Sequence, residues 1–413
     1  INLATGTFNN RQLDIDRYRN WGAEARYLVE YKTGRQTSHL SAGIRYFKGE
    51  TERLRNGVGS TGSDYNMSAN KAYPTDLALV SDNLAFFAEN LFRITDKLVV
   101  VPGFRVEHLK TSADGRLGFN PDNSEIRINR ESRTRNFMLF GIGAEYHTSK
   151  TTEIYANATQ SYRPMLFSDL TASPTTDVID PDLSDSKGYS LEAGFRGKWK
   201  NYLQFDAGIF WLQYNNRIGS ITQLRPDGSS YLYRTNVADS RSRGIETMVE
   251  FNPVLAWAKK SRYGSVSIFA SYAYTDARYE DFLVISKQGN DLVETNLKNN
   301  RVENAPEHII RTGLTYYLKS FSLTTQVSHT SKMFTDANNT ATPSANGQNG
   351  LIPAFTVVDI SGTYRIKDKY TFRAGINNVG DKRYFTRRAG GYPGPGLLPA
   401  DARNFYVTAG IRI

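Results

Sequence analysis

Apolar and polar side chains alternate along most of the chain with a period of two residues. Residues 203–211 place on one face Leu203, Phe205, Ala207, Ile209 and Trp211, and on the other Gln204, Asp206 and Gly208. Residues 355–366 and 405–413 repeat the pattern. Since successive residues of a β-strand point to opposite faces, this pattern predicts strands with one apolar and one polar face.

The apolar stripes have the length of a membrane-crossing strand. Each covers about nine to eleven residues, which is what a tilted strand needs to cross a bilayer. The opposite faces carry charged side chains, which are costly in a dry core but stable against a water-filled lumen. A large β-sandwich also uses alternating strands, so the strands alone leave both folds open.

The connections between the predicted strands alternate between short and long. The short ones lie at 33–36, 95–97, 148–151, 198–201, 319–320 and 367–369, with 253–262 of intermediate length. The long ones lie at 9–20, 55–80, 114–132, 163–187, 224–231, 284–302, 336–353 and 386–403. Outer-membrane barrels have tight periplasmic turns and long external loops, whereas a β-sandwich mixes its loop lengths. We therefore predict an all-β chain that forms a transmembrane antiparallel β-barrel, with about sixteen strands.

Composition agrees with a barrel and excludes other classes. Charged residues make up 22% of the 413 residues, and no run approaches the roughly 18 to 20 apolar residues of a transmembrane helix. Aromatic residues make up 12%, enough for girdles at both membrane interfaces. The net charge is +10, but the lysines and arginines are scattered over strands and turns, so we predict no nucleic-acid binding.

Signals for a metal site, a cofactor or catalysis are weak. The histidines show no ligand spacing at His39, His108, His147, His308 and His329. The G-x-G of residues 141–146 lies inside a strand pattern, which excludes a dinucleotide fingerprint. The segment 169–186 could bind calcium through Asp177, Asp180, Asp182 and Asp185, although a solvated loop is the favoured interpretation. We predict no metal, no cofactor and no enzyme, with an outer-membrane protease or lipase as the minor alternative.

Several motifs, in order along the chain, carry a resemblance to a known family. They are "YANATQSYRP", "GIETMVEF", "NAPEHIIRTGLTY", the pattern G-x-x-N-x-x-D-x-x-Y at Gly375, Asn378, Asp381 and Tyr384, and the ending "RNFYVTAGIRI". Together they resemble the TonB-dependent outer-membrane receptors. The resemblance implies a barrel of about 22 strands with an N-terminal plug. Residues 1–413 would then be the C-terminal part of that barrel, with the plug and the first strands before Ile1 or in a separate chain.

The same resemblance implies a function and its partners. The protein would lie in the outer membrane of a Gram-negative bacterium and take up a ferric chelate. The energy would come from the TonB-ExbB-ExbD complex, acting through the plug. Within the family, "FTDANNT", "YFTRR" and "IRYFKGETERLR" are similar to segments of ferric citrate receptors. The ligand-binding residues expected on this basis are Arg55, Arg163, Asn339, Arg387 and Arg388.

The residues themselves offer a physical reason for an anionic ligand. Arginines recur in the predicted long loops at Arg53, Arg55, Arg116, Arg127, Arg130, Arg133, Arg135, Arg163, Arg225, Arg234, Arg387 and Arg388. A guanidinium binds a carboxylate with two parallel hydrogen bonds and stays charged at any working pH. Solubility, or contact with lipopolysaccharide phosphates, explains any single one of them equally well.

Two other functions stay open at this point. A passive porin of sixteen strands with an anion-preferring eyelet needs no plug. A receptor of the same family could also carry a cargo without iron, such as an oligosaccharide or cobalamin. The basic loops favour a carboxylate chelate, and the exact ligand is not determined by the sequence.

Overall fold

The computed structural model describes residues 4, 6, 8–61, 65–167, 177–224, 230–258, 261–288, 291–367, 369–389 and 396–412. In these residues the strands are β1 (Asn10–Thr33), β2 (Gln36–Thr61), β3 (Thr75–Arg93), β4 (Leu98–Phe119), β5 (Glu125–His147), β6 (Thr152–Arg163), β7 (Asp177–Ile179), β8 (Ser186–Trp199), β9 (Leu203–Leu224), β10 (Ser230–Phe251), β11 (Ser265–Gln288), β12 (Asp291–Asn296), β13 (His308–Leu318), β14 (Phe321–Thr330), β15 (Phe355–Ile366), β16 (Tyr370–Asn377), β17 (Phe385–Ala389), β18 (Gly396–Pro399) and β19 (Asn404–Ile411). A short helix, α1 (Pro253–Trp257), follows β10. None of the helical segments described is long and apolar enough to cross a bilayer.

The sheet is a meander in which each long strand pairs antiparallel with the next. β1 to β6 pair in chain order, β6 pairs with β8, and β8 to β11 continue the sequence. β11 then pairs with β13, and the ladder runs through β14, β15 and β16 to β19. β7 and β12 are short additions to β10 and β11, and β17 forms a separate hairpin with β18. Within the described residues no ladder joins β1 to β19, so the sheet is open there.

The strand count differs slightly from the expected number. Of the nineteen strands, β7, β12, β17 and β18 stand outside the meander, which leaves fifteen against about sixteen predicted. The difference lies at residues 9–20, which we expected as a long connection and of which residues 10–20 belong to β1. Asn10 pairs with Thr61 at the far end of the β1–β2 ladder. Backbone pairing above the membrane needs no apolar face, so the hydropathy pattern could not detect it.

Several predicted external loops are extended hairpins for the same reason. β4 and β5 stay paired as far as Phe119↔Glu125, and β9 and β10 as far as Leu224↔Ser230. Strand length is therefore very uneven. β1 to β5 have 19 to 26 residues, whereas β13 to β16 and β19 have 8 to 12.

The two faces of the sheet differ as the alternation predicts. On β9, the side chain of Ile209 is 60% exposed on the outer face, beside the exposed Ala207. On the inner face, Asp206 accepts a hydrogen bond of 3.1 Å from the hydroxyl of the buried Tyr155. The outer face thus carries the apolar side chains that lipid requires, and the inner face carries paired polar groups.

All short connections lie at one end of the strands, the periplasmic end of a barrel. The longest of them contains α1, which begins after Asn252, whose side chain accepts a hydrogen bond from the Leu255 amide at 2.9 Å. A proline in the first turn suits this start, because its missing N–H has no helical partner there. The opposite, external end carries two small apolar clusters: Leu77, Leu79, Ala113 and Ile128, and Met165 with Leu183.

Candidate functional site

The external end of β2 brings Arg53 and Arg55 to one carboxylate. Asp16 is the register partner of Arg53 in the β1–β2 ladder. Arg55 Nη2 lies 2.6 Å from Asp16 Oδ2, and Arg53 Nε lies 3.3 Å from Asp16 Oδ1. Arg55 also donates a hydrogen bond of 3.0 Å to the carbonyl oxygen of Leu54. Arg55 thus lies at the external strand end, as expected, with part of its guanidinium already bound within the wall.

This ion pair lies outside the membrane and is partly shielded from water. Trp21, 58% exposed, packs against Tyr46 with 5.0 Å between ring centroids, and such outer aromatic rings mark the edge of the apolar band. Asp16 lies beyond that edge, with a side chain that is 17% exposed. Burial alone would raise the pKa of the Asp16 carboxyl. The hydrogen bond from Arg55 and the charges of both arginines outweigh it and hold the pKa below its usual range.

Arg116 is a structural residue of the same region. It donates hydrogen bonds of 2.8 and 3.1 Å to the carbonyl oxygens of Tyr73 and Pro74, and its guanidinium lies over the ring of Phe119. Its third partner is Glu125, at 2.6 Å. Arg116 therefore fastens the chain before β3 to the β4–β5 hairpin and has little capacity left for a ligand.

Arg135 forms the most buried ion pair of the external half. Its side chain is 8% exposed and lies 2.9 Å from Asp185 Oδ2. The same carboxylate accepts hydrogen bonds from the Met165 amide at 2.8 Å and from the Tyr162 hydroxyl. Burial, together with the hydrogen bond to Asp185, raises the pKa of Tyr162. These contacts of Asp185 hold the segment after β6 against the inner face of the sheet.

Other predicted residues of this segment also lie in structural positions. Arg163 ends β6 and is the register partner of the fully buried Ser186. Asp180 accepts a hydrogen bond of 2.5 Å from Thr235 and another of 2.9 Å from the Asp182 amide. Asp180 and Asp185 therefore bind protein groups within a docked segment, which differs from the solvated loop that we favoured. Arg225, and the side chains of Arg130 and Asp177, lie outside the described residues.

Asn339 joins two external loops. Its side-chain oxygen accepts a hydrogen bond of 2.7 Å from the Arg301 amide, and its side-chain nitrogen donates one of 2.8 Å to the Arg301 carbonyl. Its φ of 56° is in the left-handed region that asparagine tolerates. Asp336, three residues earlier, accepts a hydrogen bond of 3.0 Å from the hydroxyl of Thr340. The "FTDANNT" segment thus builds a docked loop between β14 and β15.

Arg388 and its neighbour Arg387 differ in their surroundings. Arg388 donates hydrogen bonds of 2.9 and 3.0 Å to the carbonyl oxygens of Gly347 and Leu351, and so ties the β17–β18 hairpin to the β14–β15 loop. Arg387 is exposed on the same hairpin. Within the described residues the side chain of Arg387 has no hydrogen bond or ion pair. Of the five expected ligand-binding residues, it is the exposed one, and the other four are partly buried.

The four residues of the G-x-x-N-x-x-D-x-x-Y pattern build one turn. Asn378, 3% exposed, donates hydrogen bonds of 2.9 and 3.2 Å to the carbonyl oxygens of Lys382 and Asp401. Asp381 accepts one of 3.0 Å from the Arg403 amide, and this contact contributes most to lowering its pKa. Tyr384 stacks on Phe355 with 4.5 Å between ring centroids. Gly375 lies opposite Tyr406, whose ring leaves no space for a side chain there.

One group on the inner face has ligand atoms that a sequence scan could not find. Glu145, His147 and Glu153 lie on two strands, and their ligand atoms are all within 4.8 Å of one another. Arg196, on a third strand, already pairs with Glu153 at 2.7 Å and with Glu145 at 3.1 Å. Because one guanidinium already pairs with both carboxylates, the group fits an internal ion-pair network better than a metal ion.

The inner face also contains a shallow depression of about 740 Å³. Gly103, Gly141 and Gly143 line part of it, and three arginines stand around them: Arg26, Arg45 and Arg105. The guanidinium groups of Arg26 and Arg105 lie over the ring of Phe87, at 5.7 and 5.6 Å from its centroid. These arginines lie within strands, so the pattern of loop arginines in the sequence does not reveal them.

Comparison with known proteins gives a family match over most of the chain. The family model described as TonB dependent receptor-like, beta-barrel, matches residues 2–379. Among curated proteins, a probable TonB-dependent siderophore receptor, PiuA of Acinetobacter baumannii, is 21% identical over 77% of this chain and 39% of its own length. The ferric-pyoverdine 358 receptor of Pseudomonas putida is 20% identical over 90% of this chain and 42% of its own length. The chain thus spans about two fifths of the length of these relatives.

Solved structures of similar fold cover nearly the whole chain. The ferric citrate transporter FecA, in its unliganded form, has a TM-score of 0.76 and 22% identity, and the match covers 97% of this chain and 55% of that one. The copper transporter OprC has a TM-score of 0.68 and 16% identity, over 96% of this chain and 57% of that one. At these identities the likeness concerns the fold.

Proposed function

The chain belongs to the TonB-dependent receptors, β-barrel proteins of the Gram-negative outer membrane that are not enzymes, and from this premise we propose that it serves the uptake of an anionic ferric chelate. This membership favours a receptor over the passive porin considered above. Curated relatives are named for siderophores, ferric pyoverdine and metal-pseudopaline, which supports a metal chelate as the cargo. We further propose that the chelate carries carboxylates, as ferric citrate does.

The observation that carries this proposal is the exposed guanidinium of Arg387 on a hairpin that other residues hold in place. Arg388 fixes the hairpin to the β14–β15 loop, and Asn339 fixes that loop to the chain before β13. A positioned arginine loses less freedom on binding than one on a free loop, so more of its interaction appears as affinity. We therefore assign Arg388 and Asn339 a positioning role and Arg387 the ligand contact.

Arg55 is proposed as a second ligand contact, and its use carries a different energetic cost of binding. Its guanidinium is shared with Asp16, so a ligand carboxylate must replace or supplement that partner. Arg163 has no comparable exposed position and is proposed only as a neighbour of the site. The arginines of the inner depression would then offer the chelate further cationic partners along the wall.

The remaining partners are proposed from the family. A plug domain and further strands would complete the barrel, and the TonB-ExbB-ExbD complex would act on the plug to release the ligand inward. Lipopolysaccharide would surround the external half. The protein's own contribution in this scheme is selective capture, because transport by such a receptor involves no bond chemistry.

The test is a titration of ferric citrate against the complete receptor and its variants. Arg387→Ala should weaken binding by about 1.5–3 kcal/mol, or roughly ten- to 150-fold, because a charge-assisted hydrogen bond to a carboxylate is lost. Arg387→Lys should recover only part of this, since an ammonium cannot form the two parallel bonds. Arg127→Ala is the matched control, because Arg127 is another exposed external arginine, 49% accessible.

The possible results distinguish the assignment of the site, of citrate as the ligand and of iron as the cargo. If Arg387→Ala and Arg127→Ala have equal effects, the site assignment is wrong. If the receptor ignores ferric citrate but binds another ferric chelate, the citrate assignment alone fails. Binding of cobalamin, an oligosaccharide or a copper complex in place of any ferric chelate would reject the iron cargo.

A further inference from the structure

The periplasmic rim, defined here as residues 32–36, 94–98, 148–151, 198–202, 252–258, 261–264, 319–320, 367 and 369, is strongly basic. Its cationic residues are Lys32, Arg35, Lys97, Lys150, Lys198, Lys200, Arg262, Lys319, Lys367 and Lys369, and its acidic residue is Asp96. Every one of its short connections carries a cation. The rim is therefore a basic band along the periplasmic end of the sheet.

In the part of the chain that the structure describes, these cations have no acidic partner that explains them. Within the described part of the rim, every lysine and arginine is exposed, and none forms an ion pair with an acidic side chain. By contrast, Arg196, on the inner face just above the rim, pairs with both Glu145 and Glu153. The cations of the rim are thus available to an external anion.

Turn geometry does not explain the lysines either. Lys200, Lys319 and Lys367 have φ values of 52°, 52° and 49°, in the left-handed region. All other non-glycine residues of the described chain with positive φ are asparagine or aspartate, the residues that tolerate this conformation best. The three lysines all lie in rim turns. Lysine thus occupies three positions at the same end where asparagine would be less strained, so a reason other than turn geometry is needed.

Exposed aromatic side chains next to the rim place it at the level of the membrane interface. Trp199 is 58% exposed, Trp257 79% and Tyr263 68%, as expected of an interfacial belt. Rim cations lie against such rings: Arg262 over Tyr263, Lys200 over Tyr202 and Lys369 over Tyr370, at 4.7, 5.8 and 5.9 Å. These contacts keep the cations at the level of the belt, where lipid headgroups lie.

We propose that the periplasmic rim is a binding surface for anionic phospholipid headgroups of the inner leaflet. Lysine suits this role, because its flexible ammonium acts as a point charge for a phosphate. A soluble acidic protein is a different partner class, and it gives no reason for the cations to lie on belt aromatics. The proposal depends on the placement in the outer membrane and is independent of the cargo.

The test replaces the three left-handed lysines together, as Lys200→Asn, Lys319→Asn and Lys367→Asn. Asparagine accepts the same backbone conformation, so the turns should fold at least as well without the charges. The complete receptor is exchanged into micelles containing equal amounts of phosphatidylglycerol and phosphatidylcholine, and the lipid retained by each protein is counted by native mass spectrometry. Since each surface lysine contributes about fivefold to attraction by an anionic membrane, the variant should prefer phosphatidylglycerol at least about tenfold less than the wild type.

The matched control is Lys71→Asn, Lys298→Asn and Lys332→Asn, which removes three exposed charges from the external end. This control should retain the wild-type preference. Equal retention by the rim variant and the wild type would overturn the proposal, as would an equal loss in the control. Loss of preference in the rim variant, with unchanged ferric-chelate affinity, would support it separately from the proposed function.

Discussion

At the scale of single residues, Asp16 forms ion pairs within a strand that the hydropathy pattern does not reveal. The alternation pattern places residues 9–20 in a loop, whereas Asp16 lies in a strand and binds Arg53 and Arg55. A ladder above the membrane is stabilised by backbone hydrogen bonds and ion pairs, neither of which has an apolar signature. The same limitation explains why Arg55 could be placed at a strand end but its internal partner could not be predicted.

The lowered pKa of Asp16 leads to a pH-dependent stability. A carboxyl whose pKa is lower in the folded than in the unfolded protein stabilises the fold at neutral pH, and this contribution disappears as the pH falls through the lowered value. Asp16→Asn should therefore lower the thermal stability of the receptor in detergent at pH 7. The difference from the wild type should shrink as the pH is reduced below about 4. A constant difference between pH 7 and pH 2 would contradict the ion-pair explanation.

Asn378 concentrates several contacts at one buried position. It is 3% exposed, has a φ of 52° and bonds the carbonyl groups of Lys382 and Asp401. Asn378→Ala should cost about 2–4 kcal/mol of unfolding free energy, from lost hydrogen bonds and left-handed strain. Asn377→Ala is the control, because Asn377 is exposed and its side chain bonds only Asn404. A similar loss in both variants would show that the turn is not organised around Asn378.

At the scale of strands, the sequence predicts the two faces correctly wherever the membrane imposes an alternation of apolar and polar residues. The outer stripe of β9 lies where the alternation predicts, because lipid accepts only apolar side chains on that face. Strand ends beyond the apolar band were misplaced by several residues, since water imposes no such selection. Contacts between different loops, such as Asn339 with Arg301, depend on how distant segments meet and have no local signal.

The register of β9 and β6 can be tested by inserting charges. Ala207→Arg places a cation on the lipid face and should cost about 2–4 kcal/mol if the residue lies near the midplane. Asn157→Arg is the matched change on the inner face, where Asn157 is exposed and pairs in register with Glu192. It should cost well under 1 kcal/mol. The measurement is unfolding of the receptor in lipid vesicles by denaturant, and equal costs would reject the assigned faces.

At the scale of the whole molecule, family and fold could be predicted because many weak motifs occur in the right order. Each motif alone matches chance strand patterns, but their order follows the path of the meander from β6 to β19. The site could be predicted only as a set of arginines at the external end. Which of them are free depends on carbonyl groups and carboxylates from other strands, as Arg116 and Arg388 illustrate.

The uneven strand lengths give the molecule a tall side and a low side. A strand of 26 residues, such as β2, rises roughly 85 Å, whereas one of 8, such as β16, rises only about 26 Å. The wall that this chain forms is therefore higher at β1 to β5 than at β13 to β19. Hydrogen-bonded ladders stiffen the tall wall, and docked loops cover the low side. On the low side the loops are held by side-chain hydrogen bonds, such as those of Asn339 and Arg388. Movement of these loops would break a few side-chain contacts and no ladder of the meander.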